Sequence, residues 1–148
     1  MNRMTKLKMK WNVIHALLTA TLLLTGGVVL AKNIDCTGGP CVGTKKADTF
    51  RGSGVADQIT GRGGNDLIDS GEGDDEVRGG GGADVITDNV PVPDVDTIFG
   101  GKGNDSIDVR EGAAFNDNPD FVDCGPGIDT VFFDANDTRL NCEILNPN

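Results

Sequence analysis

The chain has no tyrosine, one tryptophan (Trp11), one histidine (His15) and three methionines, none of them beyond position 15. The rest of the chain therefore cannot carry a histidine-based catalytic triad or a histidine-ligated zinc site. Basic residues are also scarce. Thirteen Lys and Arg face 23 Asp and Glu, for a net charge of −10. Such acidity argues against nucleic acid and anionic membrane surfaces as partners and fits a polyvalent cation. A single long apolar run is present, Val13 to Leu30, preceded by Arg3, Lys6, Lys8 and Lys10.

Residues 1–31 read as a secretory signal peptide, with Ala31 the last residue removed. A retained anchor is the rival, but Thr19, Thr21, Thr25, Gly26 and His15 interrupt the run. No lipobox precedes Cys36. Cleavage removes four basic residues and no acid, so the charge moves from −10 to −14. The expected product is secreted, extracellular and without a membrane span.

A nine-residue beat fills most of the remaining chain. From Gly43 to Thr87 five blocks run without a gap: GTKKADTFR, GSGVADQIT, GRGGNDLID, SGEGDDEVR and GGGGADVIT. After three extra residues (Asp88 to Val90) come PVPDVDTIF and GGKGNDSID. After six more (Val109 to Ala114) come FNDNPDFVD, CGPGIDTVF and the degenerate FDANDTRLN. Asp holds position six in all but the last, which has Thr138. Position eight is always apolar: Phe50, Ile59, Ile68, Val77, Ile86, Ile98, Ile107, Val122, Val131 and Leu140. A short fixed period signals a solenoid.

Each block divides into a Gly/Asn/Asp-rich turn and a strand of about three residues, whose position-eight side chain points inward. Two blocks make a coil of eighteen residues. Coils stack as parallel strands about 4.8 Å apart and share a thin core that none could bury alone. The expected fold is all-β, a parallel β-solenoid with two short-strand sheets. Asp48, Asp66 and Asp84 then form one column and Asp57 and Asp75 another. Like charges about 5 Å apart repel by roughly 3 kcal/mol per pair at an effective dielectric near 20, so the pattern demands a counter-ion. Carboxylates alternating with turn carbonyls are hard oxygen donors suited to Ca²⁺. The metal-free alternative is that each Asp merely bonds turn amides.

The blocks, above all GRGGNDLID, GGGGADVIT and GGKGNDSID, resemble the RTX, or haemolysin-type, calcium-binding nonapeptide G-G-x-G-x-D-x-U-x, in which U is apolar. The resemblance implies a right-handed parallel β-roll with Ca²⁺ held between turns by the position-six Asp and turn carbonyls. Carried onto this chain, it implicates Asp57, Asp66, Asp75, Asp84, Asp96, Asp105 and Asp129, with the position-four glycines Gly64, Gly73, Gly82, Gly103 and Gly127. The blocks at 43 and 52 depart from it, with Lys46 and Val55 at position four.

Four cysteines behind a secretion signal suggest disulfides. Cys124 and Cys142 are 18 residues apart, one coil, which puts their Cα atoms near 5 Å. Cys36 and Cys41 enclose Thr-Gly-Gly-Pro. The expected pairs are Cys36–Cys41 and Cys124–Cys142, capping the two ends against open-edge pairing. The expected organisation is a leader (1–31), an N-terminal cap (32–42), the repeats (43–141) and a tail (142–148).

The expected function is calcium binding coupled to folding, in a structural, adhesive or buffering role with no catalysis. Any protein or glycan partner is unspecified. A small secreted hydrolase using paired carboxylates is the alternative. An EF-hand is excluded at Asp94-Val95-Asp96, where the sixth residue is Phe99 and the twelfth Asp105. A phosphate loop at Gly79 to Gly82 lacks the Lys-Ser/Thr that should come after it.

Overall fold

A computed structural model describes residues 30–88, 92, 94–111 and 118–147. Of the expected leader (1–31), residues 1–29 lie outside the described residues, as do parts of both added segments.

Turns rich in Gly and Asp keep every strand short, and the inward apolar residue of each strand finds a partner only in the next coil. Sheet one contains β1 (Asn33–Asp35), β3 (Thr49–Arg51), β5 (Leu67–Asp69), β7 (Val85–Thr87), β9 (Ser106–Asp108), β11 (Thr130–Phe133) and β13 (Ile144–Pro147). Sheet two contains β2 (Gly39–Val42), β4 (Asp57–Thr60), β6 (Glu76–Gly81), β8 (Thr97–Lys102), β10 (Phe121–Asp123) and β12 (Thr138–Leu140). The chain alternates between the sheets, and strands pair in parallel from β1 to β13 and from β2 to β12. The expected cap and tail thus both contribute strands.

Register tracks the sequence beat. Thr49 lies opposite Leu67, and Leu67 opposite Val85, an offset of 18. Val85 then pairs with Ser106, and Ser106 with Thr130, so the offset grows to 21 and then 24. The added length falls between β7 and β8 and between β9 and β10, while Asp88 and Val109, counted among the added residues, keep the stacking of the beat. Both connections run from sheet one to sheet two, so both insertions lie on one edge. The turns from sheet two back to sheet one form the first edge. Those from sheet one to sheet two form the second.

The core is built on the position-eight residues of both sheets, joined by Val109, Phe133, Cys36, Cys41 and Cys124. Phe50, Ile59, Ile68, Val77, Ile86, Ile98, Ile107, Val122 and Val131 are essentially without exposure. Burial of such side chains contributes about 1.5–3 kcal/mol each. Their neighbours, such as Leu67 and Val85, face out, as strand alternation requires. Leu140 corrects the expectation that the file ends with it. The last sheet-two coil is one residue short, so Arg139 lies opposite Val122 and Leu140 is turned outward, 47% exposed. A one-residue slip exchanges the two faces of a strand. Arg139 instead lays its guanidinium over the Phe133 ring, 3.6 Å from its centre, and donates to the Asp137 carbonyl at 2.8 Å.

Both expected disulfides are present. Cys36 and Cys41 have Cα atoms 5.7 Å apart, within the first coil. Cys124 and Cys142 have Cα atoms 5.2 Å apart, the spacing of stacked coils.

Candidate metal centre

Stacking turns the position-six Asp residues into two ladders. On the first edge, the Asp48 amide donates to Asp66 Oδ1 at 2.7 Å. Asp66 donates to Asp84, Asp84 to Asp105 and Asp105 to Asp129, all at 2.7–2.8 Å. Glu143 Oε2 ends the series by accepting from the Asp129 amide. On the second edge the series is Asp57, Asp75, Asp96, Asp120 and Asp137. Asp137 fills the ladder position where the nine-residue count points to Thr138. The same one-residue shortening that displaces Leu140 brings it there.

Each ladder aspartate therefore spends one oxygen on a neighbouring amide. The other oxygen is a separate matter. Oδ2 of Asp66, Asp84, Asp105 and Asp129 on the first edge, and of Asp75, Asp96 and Asp120 on the second, is buried with no hydrogen-bond partner. A buried carboxylate oxygen without a donor is costly unless a cation meets it.

The first edge shows where that cation would fit. Its turns open with a row of position-one glycines, Gly43, Gly61, Gly79 and Gly100. A methyl group added to Gly79 would lie 2.5 Å from Asp84 Oδ2 and 2.6 Å from the Gly100 carbonyl. At Gly100 the same point is 2.7 Å from Asp105 Oδ2 and 2.6 Å from the Cys124 carbonyl. Carboxylate and carbonyl oxygens thus crowd the position-one glycines so closely that no Cβ could be added without displacing them. Position four adds the tight curvature. Gly64, Gly73, Gly82 and Gly103 have φ of 101°, 108°, 132° and 138°, while Gly127 lies outside this left-handed region.

The electrostatics agree. Burial is the main cause that pushes Asp84 up to about 6, Asp75 to about 7 and Asp120 to about 8, against the opposing bonds from ladder amides and with added repulsion from neighbouring carboxylates. Asp66, Asp105 and Asp129 are raised for the same reason. Asp48 goes the other way. Burial pushes it up, but the Thr44 and Lys32 amides outweigh that push and hold it below the usual carboxylate range.

Asp57, expected among the ligands, differs from the others. Gly38 N–H donates to its Oδ1, and Ser53 N–H and Oγ–H both reach its Oδ2. Asp48 is likewise satisfied at both oxygens, by Lys32 and Thr44. These are the ladder residues of the two blocks whose position four is Lys46 or Val55 rather than Gly. Asp96 and Asp120 keep an unpartnered oxygen although Asp94 and Asn118 hold position four of their blocks, so a position-four glycine is not what frees it. Asp120, on the beat but outside the expected ligand set, belongs with Asp75 and Asp96.

The family model described as RTX calcium-binding nonapeptide repeat (4 copies) matches residues 42–77, 51–86 and 93–113. The chain carries RTX-type calcium-binding nonapeptide repeats over those residues. Its ion is Ca²⁺, consistent with an all-oxygen donor set of carboxylates and carbonyls. No curated protein and no solved structure matches the chain. Within the matched residues the ladder aspartates Asp48, Asp57, Asp66, Asp75, Asp84, Asp96 and Asp105 stand at the sixth place of the nonapeptide.

Proposed function

We propose that this RTX-repeat chain is a secreted calcium-responsive structural module, ordered by ions held along its turn edges and without catalysis of its own. The observation that carries this is the row of buried, unpartnered Oδ2 atoms, repeated coil after coil. Without cations the ladder holds like charges one coil apart, and a thin core offsets little of that repulsion. Ions that bind only the folded roll stabilise it by mass action. The ligand set is Asp66, Asp75, Asp84, Asp96, Asp105, Asp120 and Asp129, with turn carbonyls completing each shell. Two disulfides suit an oxidising, extracellular setting, and the apolar segment ending at Leu30 supplies the export signal. Among the described residues no helix is long and apolar enough to cross a membrane. The hydrolase alternative finds little support here, because the ladder acids are buried and each gives an oxygen to a backbone amide or hydroxyl.

Titrating the disulfide-bonded chain with Ca²⁺ while monitoring the strand circular-dichroism signal tests this. The signal should rise cooperatively with Ca²⁺ and only weakly with Mg²⁺. Asp66→Asn and Asp84→Asn should raise the calcium required, whereas Asp35→Asn, outside the ladders, should not. Equal strand content in chelated and calcium-loaded protein would end the proposal.

A further inference from the structure

The second edge has a feature that the nonapeptide pattern does not supply. Ser70 N–H donates to the Thr87 carbonyl and Asp88 N–H to that of Asp108, so Gly52, Ser70, Asp88 and Val109 stack as the position-one row of this edge. The equivalent first-edge row is glycine, which leaves a cradle open. Here Asp88 sends a carboxylate into it, and the two insertions bring Asp94 and Glu111 alongside the ladder residues Asp96 and Asp120.

We propose that this insertion site binds a pair of calcium ions bridged by Asp88, one completed by Asp94 and Asp96 and the other by Glu111 and Asp120. It rests on the calcium-binding reading of the roll and takes the ladder residues Asp96 and Asp120 into a site that the nonapeptide pattern does not supply. Carboxylate oxygens of Asp88, Asp94 and Asp96 lie within 4.8 Å of one another. So do those of Asp88, Glu111 and Asp120. Asp88 is common to both triads. All five residues are at most 5% exposed.

Each carboxylate is held in place from outside. Ser70 Oγ–H donates to Asp88 Oδ1 at 3.1 Å, the Gly73 amide to Asp94 Oδ2 at 2.8 Å, and the Asp75 amide to Asp96 Oδ1 at 2.8 Å. The Asp96 amide reaches Asp120 Oδ1 at 2.8 Å, and the Asp94 amide reaches Glu111 Oε1 at 3.2 Å. Asp88 Oδ2, Asp94 Oδ1, Asp96 Oδ2 and Asp120 Oδ2 are left buried with no donor.

Among the described residues no basic side chain forms an ion pair with Asp88, Asp94, Asp96 or Asp120. Arg110, adjacent to Glu111, gives both Nε and Nη2 to Asp108. Five buried carboxylates exceed what one divalent ion neutralises, and a shared carboxylate between two ions is an ordinary way to hold a pair. An all-carboxylate set selects a hard cation. Full burial denies a substrate access, so the ions are structural and pin the insertions to the roll.

Native mass spectrometry of the disulfide-bonded chain equilibrated with Ca²⁺ tests this. Relative to wild type, Asp88→Asn should hold two fewer ions, and Asp94→Asn and Glu111→Gln one fewer each. Asp35→Asn, outside both ladders, should keep the wild-type count. Wild-type protein that takes up no calcium would sink the calcium reading of the whole roll. Wild-type protein that binds calcium, with Asp88→Asn losing one ion or none, would overturn the bridged pair alone. Should Asp88→Asn show no strand signal in saturating calcium, the Asp94→Asn/Glu111→Gln double variant decides. It keeps Asp88 and should lose two ions, and an unchanged count refutes the proposal.

Discussion

The two turn edges of this solenoid carry the same amide-to-carboxylate ladder and differ in what stands against it. The first edge keeps glycine at position one through four coils and admits no insertion. Its cradles are copies of one another. The second edge opens with Gly52, then has Ser70, Asp88 and Val109, and it absorbs both insertions. A repeat can vary on one edge without disturbing the other because the strands in between fix the register. The added length falls between strands, and the position-eight file continues from Ile86 to Ile98 and from Ile107 to Val122 as though nothing had been added.

The largest expected effect removes the difference between the edges altogether. Chelating calcium at neutral pH should abolish most of the strand signal. Hydrogen exchange should show loss of protection on both edges rather than one. Protection retained on the first edge alone would show that the two edges fold separately.

Acid should act next, and in the direction opposite to the usual carboxylate case. Asp84, Asp75 and Asp120 are raised in the folded roll from an ordinary 3.8 to about 6, 7 and 8. Their protonation stabilises the calcium-free roll. That contribution is complete below the unfolded value and is lost as pH rises through about 6 to 8. Chelated protein should therefore show more strand at pH 4 than at pH 8. Calcium uptake near pH 7 should release protons, mainly from second-edge residues. Calorimetry in buffers of different ionisation enthalpy measures that release, and its absence would break the electrostatic contrast.

Replacing Cys124 and Cys142 together with Ser opens an 18-residue closure at the end of the first edge. It should cost about 3 kcal/mol, seen as a higher calcium midpoint and a lower melting temperature. The Gly79→Ala variant places a methyl group where Asp84 Oδ2 and the Gly100 carbonyl converge. It should raise the calcium midpoint about tenfold, roughly 1.4 kcal/mol, without loss of the second-edge ions. The smallest effect belongs to Arg62. It holds φ of 80° at position two, where Gly71, Gly80, Gly101 and Gly125 also adopt positive φ. Arg62→Gly should stabilise the calcium-loaded roll by about 0.5–1 kcal/mol, as read from its thermal midpoint.

Two explanations of the aspartate column competed on sequence grounds, turn chemistry and metal ligation. They use different oxygens of the same carboxylate. Oδ1 takes the amide of the preceding coil and Oδ2 is left for the ion. No pattern in the letters separates the two oxygens of an aspartate, so only the stacked geometry could show this. Asp48 and Asp57 make the same point. They keep the beat, yet Thr44 and Ser53, at position two of their own blocks, direct amides onto their second oxygens.

The sequence by itself determined the period, the fold class, the inward file and the pairing of the cysteines. All four depend on residue spacing along the chain, and a solenoid converts spacing directly into position. Tertiary structure alone decided where the period's irregularities went. It put both insertions on one edge, turned Leu140 outward in favour of Arg139, and moved Asp137 into the ladder. It also gathered Asp88, Asp94 and Glu111 around Asp96 and Asp120. Those placements depend on which turn loops out and which coil runs short, and strand pairing between coils, not the local sequence, sets both.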